Sequence, residues 1–380
     1  MKIELNNKIS GILSVTIRDL SDEADVRIEL SDILVDARHE YGALTFFVLT
    51  HLLNDGPNRI TVSNGGMVEH AVFNVSNGND LGAKVREALK RSKSPLIRFG
   101  QPDSSWFDYS DEAITPWFND SSENAAIYIK DIEEKLGSAW GGQLRNFYSE
   151  GFLVLEDLVN DAEIDAFVND LDRGIASGEI PFNHGSSDRI ELLHRKYASA
   201  RRLLAHPNIL KALEIIFNAP ARPCQSLTFV NGSQQAMHQD SIHLTPFPKG
   251  YMCGVWIALE DIQEGTGELL VIPKSHKGKV LRMADLSIGK IVDGDWVKFV
   301  NAVAPYWENI AKESDPPFVY RPKKGTVLIW HENLMHGGSM RAHPELTRKA
   351  FVTHHFADGA IAYYDSTGTV GTMEFVEDLN

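Results

Sequence analysis

Cysteine is scarce in this sequence, with two residues among 380, and the scarcity excludes several classes of protein. Cys224 and Cys253 are too few for a disulfide framework and follow no zinc-binding spacing. Long apolar runs are also missing, since the most apolar stretch, residues 43–53, is too short to span a bilayer. Positive charge is in deficit, because 52 acidic residues outnumber 37 basic ones and leave a net charge of -15. This balance disfavours nucleic acid and anionic membranes as partners.

The N-terminus, Met1-Lys-Ile-Glu-Leu-Asn, has no apolar signal core, and we therefore expect a cytoplasmic protein. Hydrophobic residues make up 43% of the chain, which is enough to bury a large core. The predicted partner is a small-molecule substrate, with no nucleic acid and no membrane insertion. The composition leaves the oligomeric state open.

One set of polar residues carries a chemical pattern. His238 and Asp240 are two positions apart, so on a predicted strand both side chains would point to the same face. His336 lies just beyond a β-branched and aromatic run over residues 325–331, which predicts another strand. Two histidines and one carboxylate on one face of an octahedron form the triad of non-haem Fe(II) oxygenases, and this triad leaves three coordination positions open. We predict that His238, Asp240 and His336 bind Fe(II).

Arg348 begins an alternating run that ends at Phe356, and we interpret this run as the antiparallel strand next to the one that delivers His336. A guanidinium group binds a carboxylate through two parallel hydrogen bonds, where lysine offers only a point charge. The distal carboxylate of 2-oxoglutarate is therefore the predicted ligand of Arg348. Each residue type is common by itself, so the prediction depends on their joint occurrence on predicted strands.

Around these residues the chain resembles the phytanoyl-CoA dioxygenase family of iron and 2-oxoglutarate oxygenases. The likeness spans residues 141 to about 365 and follows the family's order of segments. The segments are Phe147–Leu155, His238-Gln-Asp240 with His243 and Pro246-Phe-Pro248, Trp256–Glu260, Gly267–His276 and Arg348–Phe356.

The resemblance implies a double-stranded β-helix, or jelly roll, with iron on His238, Asp240 and His336 and the far carboxylate of 2-oxoglutarate on Arg348. It also implies three further cofactor-site residues, which are Gln225, Thr228 and Trp256. Gln225 and Thr228 lie on a plausible strand that enters the pocket, where a ladder or capping role is an equal alternative. For Trp256 the alternative is a position in the hydrophobic core, where a tryptophan on a strand more often lies. The implied cofactors are Fe(II), 2-oxoglutarate as cosubstrate and O2, with ascorbate as a candidate reductant.

The implied reaction is hydroxylation of an unactivated C–H bond of a small molecule, with succinate and CO2 as coproducts. A polar metabolite, a sugar-containing precursor or a natural product is the preferred substrate class. Asp240 favours hydroxylation over halogenation, because related halogenating enzymes have a small residue at that position. Desaturation, epoxidation and demethylation stay open. Two other interpretations are a cupin-type metalloprotein without 2-oxoglutarate chemistry and a non-catalytic protein that binds a glycan or another partner.

The predicted fold is mainly β with flanking helices and three parts. Residues 1–95 form a small β-sandwich-like domain, because short strand-like runs alternate there with turns such as Asn64-Gly65. Residues 96–140 form a helical connector and residues 141–380 form the oxygenase domain. The hydrophobic spacing predicts helices over 81–91, 122–136, 159–176 and 204–217.

Residues 277–320 interrupt the pattern of strands with Trp296, Phe299, Tyr306 and Trp307 among charged residues and prolines. Long excursions in compact domains are often active-site lids. The sequence leaves two interpretations open here, a lid that sets substrate choice and an ordinary insertion that its aromatic residues anchor.

Overall fold

The structure is a computed structural model that describes residues 1–6, 10–20, 24–39, 42–183, 189–286 and 288–374. The last residues of the predicted oxygenase domain, 375–380, therefore lie outside the described residues. None of the helices in the described part of the chain combines the length and the apolar character needed to cross a membrane.

The N-terminal strands form two antiparallel sheets that enclose a core of their own. Within the described residues, the strands are β1 Lys2–Asn6, β2 Ile12–Arg18, β3 Ala24–Leu30, β4 Ile33–His39, β5 Ala43–Leu49, β6 Gly56–Asn64, β7 Met67–Val75 and β8 Ile97–Arg98. One sheet has the order β1-β2-β5-β8 and the other β4-β3-β6-β7. Val26, Ile28 and Leu30 are buried and alternate with exposed polar residues, so one face of β3 contributes to this core.

The β6–β7 hairpin turns one residue later than predicted. Asn64 is the last paired residue of β6 and faces Met67, so Gly65 and Gly66 form the two-residue turn. Both have positive φ angles, +54° and +91°, which glycine adopts without the steric penalty that other residues meet.

Helices connect the sandwich to the second β unit. They are α1 Asp80–Arg91, α2 Ser122–Leu136 and α3 Ser138–Glu150, and the first two match the predicted helices closely. Four aromatic residues between α1 and α2 are buried in the main core, namely Trp106, Phe107, Trp117 and Phe118. Trp117 donates a hydrogen bond there to the carbonyl of Ile216 at 2.8 Å. The predicted domain boundary at residue 141 falls inside α3.

The second β unit is the predicted jelly roll, and the mainly β fold class is confirmed. Its strands are β9 Phe152–Leu155, β10 Arg189–Glu191, β11 Ala221–Phe229, β12 Leu244–Phe247, β13 Met252–Ala258, β14 Leu269–Val271, β15 Phe318–Tyr320, β16 Val327–His331, β17 His336–Gly338, β18 Ala350–Ala357, β19 Ile361–Tyr364 and β20 Thr369–Val370. The major sheet has the order β10-β11-β18-β13-β16-β9, and smaller sheets have the orders β12-β19-β20 and β15-β14-β17. Every residue of β13 and β18 is buried, so both faces of the major sheet are covered.

The helices α4 Asp161–Ala176, α5 Ala198–Leu204 and α6 Pro207–Phe217 pack on one face of the major sheet. Phe167 of α4, for example, contacts Phe351 of β18 with ring centroids 4.9 Å apart. The prediction of one continuous helix over 204–217 is wrong, because α5 ends at Leu204 and Pro207 starts α6. Proline has no backbone N–H to donate, and in the first turn of a helix, where Pro207 lies, that N–H would have no partner within the helix.

The opposite face of the major sheet lines a cavity, which the segment 277–320 borders. This segment contains the short helix α7 Met283–Leu286 and the longer helix α8 Trp296–Lys312. It has its own apolar cluster, in which Phe299, Val303 and Trp307 pack with residues that include Ile242 and Met335.

Candidate metal centre

The backbones of the two predicted metal-binding histidines are joined directly. His238 and His336 form an isolated antiparallel bridge, with N···O distances of 2.9 and 3.0 Å in the two directions. The prediction that His238 and Asp240 lie on one strand is wrong, because Asp240 is the first residue of a 3-10 helix, Asp240–Ile242. Gln239 between them is nevertheless extended, with φ -114° and ψ 138°, so both side chains still point to one side, as on a strand.

The side chains of His238, Asp240 and His336 converge. One ligand atom from each lies within 4.8 Å of the other two. Asp240 Oδ1 is 3.7 Å from Nε2 of His238 and 3.7 Å from Nε2 of His336, and the imidazole centroids are 4.3 Å apart. The three atoms thus surround a common point at the cavity wall.

The backbone sets the tautomer of both imidazoles. Nδ1 of His238 lies 2.9 Å from the carbonyl of Ala236, and Nδ1 of His336 lies 3.0 Å from the carbonyl of Leu334. A carbonyl only accepts, so each Nδ1 carries the proton and each Nε2 offers a lone pair to a metal. Burial and the neighbouring His336 lower the pKa of His238 to about 4, so its ring is neutral near pH 7.

Two ring N–H groups meet the other carboxylate oxygen of Asp240. Trp330 Nε1 donates to Asp240 Oδ2 at 2.9 Å, and His354 Nε2 lies 3.4 Å from the same oxygen. Burial would raise the pKa of Asp240, but the imidazoles of His336, His354 and His238 outweigh it and hold that pKa well below its usual range. The carboxylate is therefore ionised and held at one end.

Arg348 is 3% exposed and lines the same cavity. Its Nε donates to the carbonyl of Gly267 at 3.0 Å, and its guanidinium lies 5.4 Å from the ring of Phe229 and 5.6 Å from that of Trp256. Burial lowers the pKa of Arg348 to about 10, so the group stays charged at neutral pH. Among the described residues this buried cation has no carboxylate partner in ion-pair contact, which fits a site for an anion.

The strand that follows Arg348 is not where the sequence predicted. Arg348 lies two residues before β18, and β18 is not the neighbour of β16, because β13 is hydrogen-bonded between them. His336 itself belongs to β17, in a different sheet. The closeness of Arg348 to the histidines therefore results from the two sheets facing each other.

The cavity has a volume of about 270 Å³ and joins the metal ligands to Arg348. Gln225 and Trp256, which the sequence placed near the cosubstrate, are among its lining residues. Thr228 is not: β11 presents Gln225, Leu227 and Phe229 to the cavity, so strand alternation turns Thr228 to the opposite face. The prediction for Thr228 is therefore corrected.

Helix α8 supplies much of the remaining wall. Trp296, Phe299 and Trp307 line the cavity, and the ring of Trp307 lies 6.0 Å from that of His238. Tyr306, which the sequence grouped with them, is 38% exposed and does not line the cavity. The segment 277–320 therefore borders the site through one face of α8.

Sequence reasoning missed Trp330, Gln235 and His354. Gln235 Nε2 lies 3.2 Å from Nε2 of His238, the imidazole nitrogen that would bind a metal. No local motif marks these residues, because their contacts depend on strand register and on a loop conformation. The signal that could have found two of them is that His354 and Trp330 lie on β18 and β16, the two strands that flank β13.

Comparisons with known proteins identify the family of this chain. The model of the family described as phytanoyl-CoA dioxygenase (PhyH) matches residues 147–345, slightly more than half of the chain. Peroxisomal phytanoyl-CoA dioxygenases of Bos taurus and Homo sapiens are each 28% identical over 251 residues, which cover 59% of this chain and 71% and 70% of theirs. The non-haem α-ketoglutarate-dependent carbocyclase SnoK from nogalamycin biosynthesis has 17% identity and a TM-score of 0.47, covering 67% of this chain and 90% of its own.

Proposed function

Because this chain belongs to the phytanoyl-CoA dioxygenase family of iron- and 2-oxoglutarate-dependent oxygenases, we propose that it hydroxylates an unactivated C–H bond of a small molecule. The observation that carries this proposal is the convergence of His238, Asp240 and His336 on a cavity that also contains the buried guanidinium of Arg348. The expected coproducts are succinate and CO2.

The donor set fits Fe(II). His238 and His336 offer neutral Nε2 atoms and Asp240 offers an ionised oxygen, which is the two-histidine, one-carboxylate set of non-haem iron oxygenases. We assign these residues as the iron ligands. Asp240 occupies the position that a halide would need, so hydroxylation is favoured over halogenation.

Arg348 is the proposed anchor for the far carboxylate of 2-oxoglutarate. Its guanidinium is held by the Gly267 carbonyl and lies near two aromatic rings, of which Trp256 is an assigned wall of the cosubstrate site. Gln225 has a different proposed role, because its amide is engaged with Nδ1 of His354 at 3.1 Å. We therefore place Gln225 behind the metal ligands instead of on the cosubstrate.

When bound, Fe(II) with 2-oxoglutarate and O2 supplies the oxidising power for oxygen insertion, while the protein supplies geometry and a dry site. The rings of Trp296, Phe299 and Trp307 line the cavity, and such apolar walls limit the contact of the reacting groups with water. His238 and His336 keep their Nδ1 protons on backbone carbonyls, so their rings cannot rotate without losing those hydrogen bonds.

The substrate that fits this cavity is a small molecule with both apolar and polar surface. Apolar residues such as Ile242 and Leu244 line it together with polar groups from Arg189, Ser233 and His243. Flat aromatic walls pack against ring faces, and a few polar groups fix orientation. A sugar-containing precursor, a natural product or a polar metabolite is the class we propose.

An anaerobic titration of the apoprotein with Fe(II) and 2-oxoglutarate tests the proposal, because chelation of iron by the keto acid produces a visible charge-transfer band. We expect the band in the wild type and in a His70→Ala control, whose histidine is exposed on the sandwich, and not in His238→Ala. Decay of the band under O2 with formation of succinate supports the oxygenase. Metal binding without the band in the wild type contradicts it.

The hydroxylase assignment itself is tested by a screen of candidate small molecules under ¹⁸O₂. Substrate-dependent succinate formation with one ¹⁸O atom in the product is the expected result. A product lacking two hydrogens and carrying no oxygen label would instead identify a desaturase with the same iron site.

A further inference from the structure

Four residues form a row across the major sheet behind Asp240. Trp330 on β16 pairs with Gly254 on β13, Gly254 pairs with His354 on β18, and His354 pairs with Gln225 on β11. The four strands are neighbours in the sheet, and residues in register on neighbouring strands point to the same face. That face is the one that lines the cavity, as Trp330, His354 and Gln225 do.

Gly254 has no side chain, and this leaves room for its two neighbours in the row, Trp330 and His354, to contact each other. A Cβ atom on Gly254 would lie 2.1 Å from the Trp330 indole, far inside contact distance. Glycine therefore lets the indole extend across β13, where its ring meets the imidazole of His354 edge to face with centroids 5.9 Å apart. Both rings then reach the same oxygen of Asp240.

The row also fixes the direction of each hydrogen bond. An indole N–H only donates, so Trp330 donates to Asp240 Oδ2 at 2.9 Å. The Gln225 amide nitrogen donates to Nδ1 of His354 at 3.1 Å, which leaves the proton of this imidazole on Nε2, 3.4 Å from Asp240 Oδ2. Oδ1 is left to face the two iron-ligand histidines.

We infer that Trp330 and His354 are positioning residues that hold Asp240 as a one-oxygen metal ligand, with Gln225 setting the tautomer of His354 and Gly254 making room for the indole. The inference depends on the proposed iron site. The number of oxygen atoms that Asp240 gives to the metal matters, because a carboxylate that bound through both oxygens would occupy one of the three positions that cosubstrate and O2 require. Groups behind metal ligands typically change metal affinity by about ten- to a hundredfold.

The test compares metal affinity in variants that remove or keep the N–H donors. Trp330→Phe keeps an aromatic ring and removes one donor, His354→Leu removes the other, and His354→Gln keeps an amide donor near the position of Nε2. Trp140→Phe, at a half-buried tryptophan of α3, is the matched control. Each apoprotein is titrated anaerobically with Fe(II), and then with 2-oxoglutarate while the charge-transfer band is recorded.

We expect Trp330→Phe and His354→Leu to weaken Fe(II) binding by about ten- to a hundredfold and to shift the band, while Trp140→Phe and His354→Gln stay within about threefold of the wild type. Gly254→Ala should weaken binding to the same extent as Trp330→Phe, because the indole must move away. Thermal unfolding of each apoprotein, measured without metal, identifies the temperature range in which every variant is folded.

Wild-type affinity in both donor-deleted variants would overturn the inference, as would equal losses in His354→Leu and His354→Gln, since packing alone would then explain them. Failure of the wild type to bind Fe(II) and 2-oxoglutarate is a different result. It would overturn the proposed function before any variant is compared.

Discussion

Arg348 is the residue whose role can be separated most cleanly from that of the iron ligands. We predict that Arg348→Lys raises the dissociation constant of 2-oxoglutarate and leaves Fe(II) affinity unchanged. Lysine keeps the charge and loses the planar fork, and a hydrogen bond to a charged group contributes about 1.5–3 kcal/mol, or about ten- to a hundredfold in affinity.

Titration of the Fe(II)-loaded variant with 2-oxoglutarate measures this effect, and Arg202→Lys, at an exposed arginine of α5, is the control. The pKa of Arg348, about 10, also predicts that 2-oxoglutarate affinity is constant between pH 6 and pH 8, because the guanidinium is protonated throughout. Equal cosubstrate affinity in wild type and Arg348→Lys would remove Arg348 from the site.

For individual residues, the sequence predicted which side chains would converge and did not predict the contacts that hold them in place. His238, Asp240 and His336 converge within 4.8 Å, but His238 lies in an isolated bridge and Asp240 begins a 3-10 turn, so the predicted regular strand is absent there. The contacts of Trp330 and His354 could not be predicted, because each depends on the register of three paired strands. Register is a property of the folded sheet that no single segment encodes.

Among the elements, the segment 277–320 is tied to the barrel at a buried carboxylate. Asp365 is fully buried and accepts hydrogen bonds from the backbone N–H groups of Ser104 and Met283. Lys290 Nζ lies 2.8 Å from Asp365 Oδ1 and 2.5 Å from Asp103 Oδ2. One cation thus joins the connector, the segment and the β19–β20 turn.

Removal of this cation should loosen the segment while the iron site persists. We predict that Lys290→Ala lowers the free energy of unfolding by about 3 kcal/mol, since it leaves the fully buried carboxylate of Asp365 without its cationic partner. Limited proteolysis should then cut within 277–320 sooner than in the wild type. Lys312→Ala, which breaks an exposed pair with Glu308, should change stability by less than about 1 kcal/mol.

If Lys290→Ala matches Lys312→Ala in both measurements, the buried pair does not anchor the segment. The sequence indicated that this stretch was an excursion from the barrel, and its aromatic residues were evident. It could not show that α8 would turn Phe299 and Trp307 to the cavity and Tyr306 to solvent. That orientation depends on packing against Ile242 and Met335, which are distant in sequence.

Across the whole molecule, the sandwich and the barrel meet at a polar seam. His51 Nε2 lies 2.8 Å from the carbonyl of Gly359, and Asn79 donates to the carbonyl of Asp358 at 2.9 Å. The N–H of Ala362 donates to the carbonyl of Ser10 at 2.8 Å. We propose that residues 1–95 and the barrel are separate domains joined through this seam and the connector.

The seam should weaken in acid. Burial lowers the pKa of His51 from 6.5 to about 4, so the unfolded chain takes up this proton below pH 6.5 and the folded protein only near pH 4. The contribution of His51 to stability is therefore complete above pH 6.5 and is lost as the pH falls toward 4. Between pH 7 and pH 4.5 the loss is about 2–3 kcal/mol.

Urea unfolding of wild type and His51→Gln at both pH values isolates this group. We expect the wild type to lose about 2–3 kcal/mol more than the variant on acidification, because glutamine does not titrate. His70→Gln, at an exposed histidine of β7, should follow the wild type. Identical pH dependence in wild type and His51→Gln would show that the proton on His51 has no part in acid unfolding.

The contacts of the seam also limit how far the chain can be shortened from its N-terminus. A fragment that starts at residue 96 would retain every proposed iron and cosubstrate residue, yet it would leave three backbone groups at Asp358, Gly359 and Ala362 without their hydrogen-bond partners. It would also omit Leu81, Val85 and Leu89, which belong to the same apolar cluster as Phe247 and Tyr363 of the barrel. A shortened chain for crystallisation or directed evolution should therefore begin before Ser10, so that it keeps the carbonyl that accepts from Ala362.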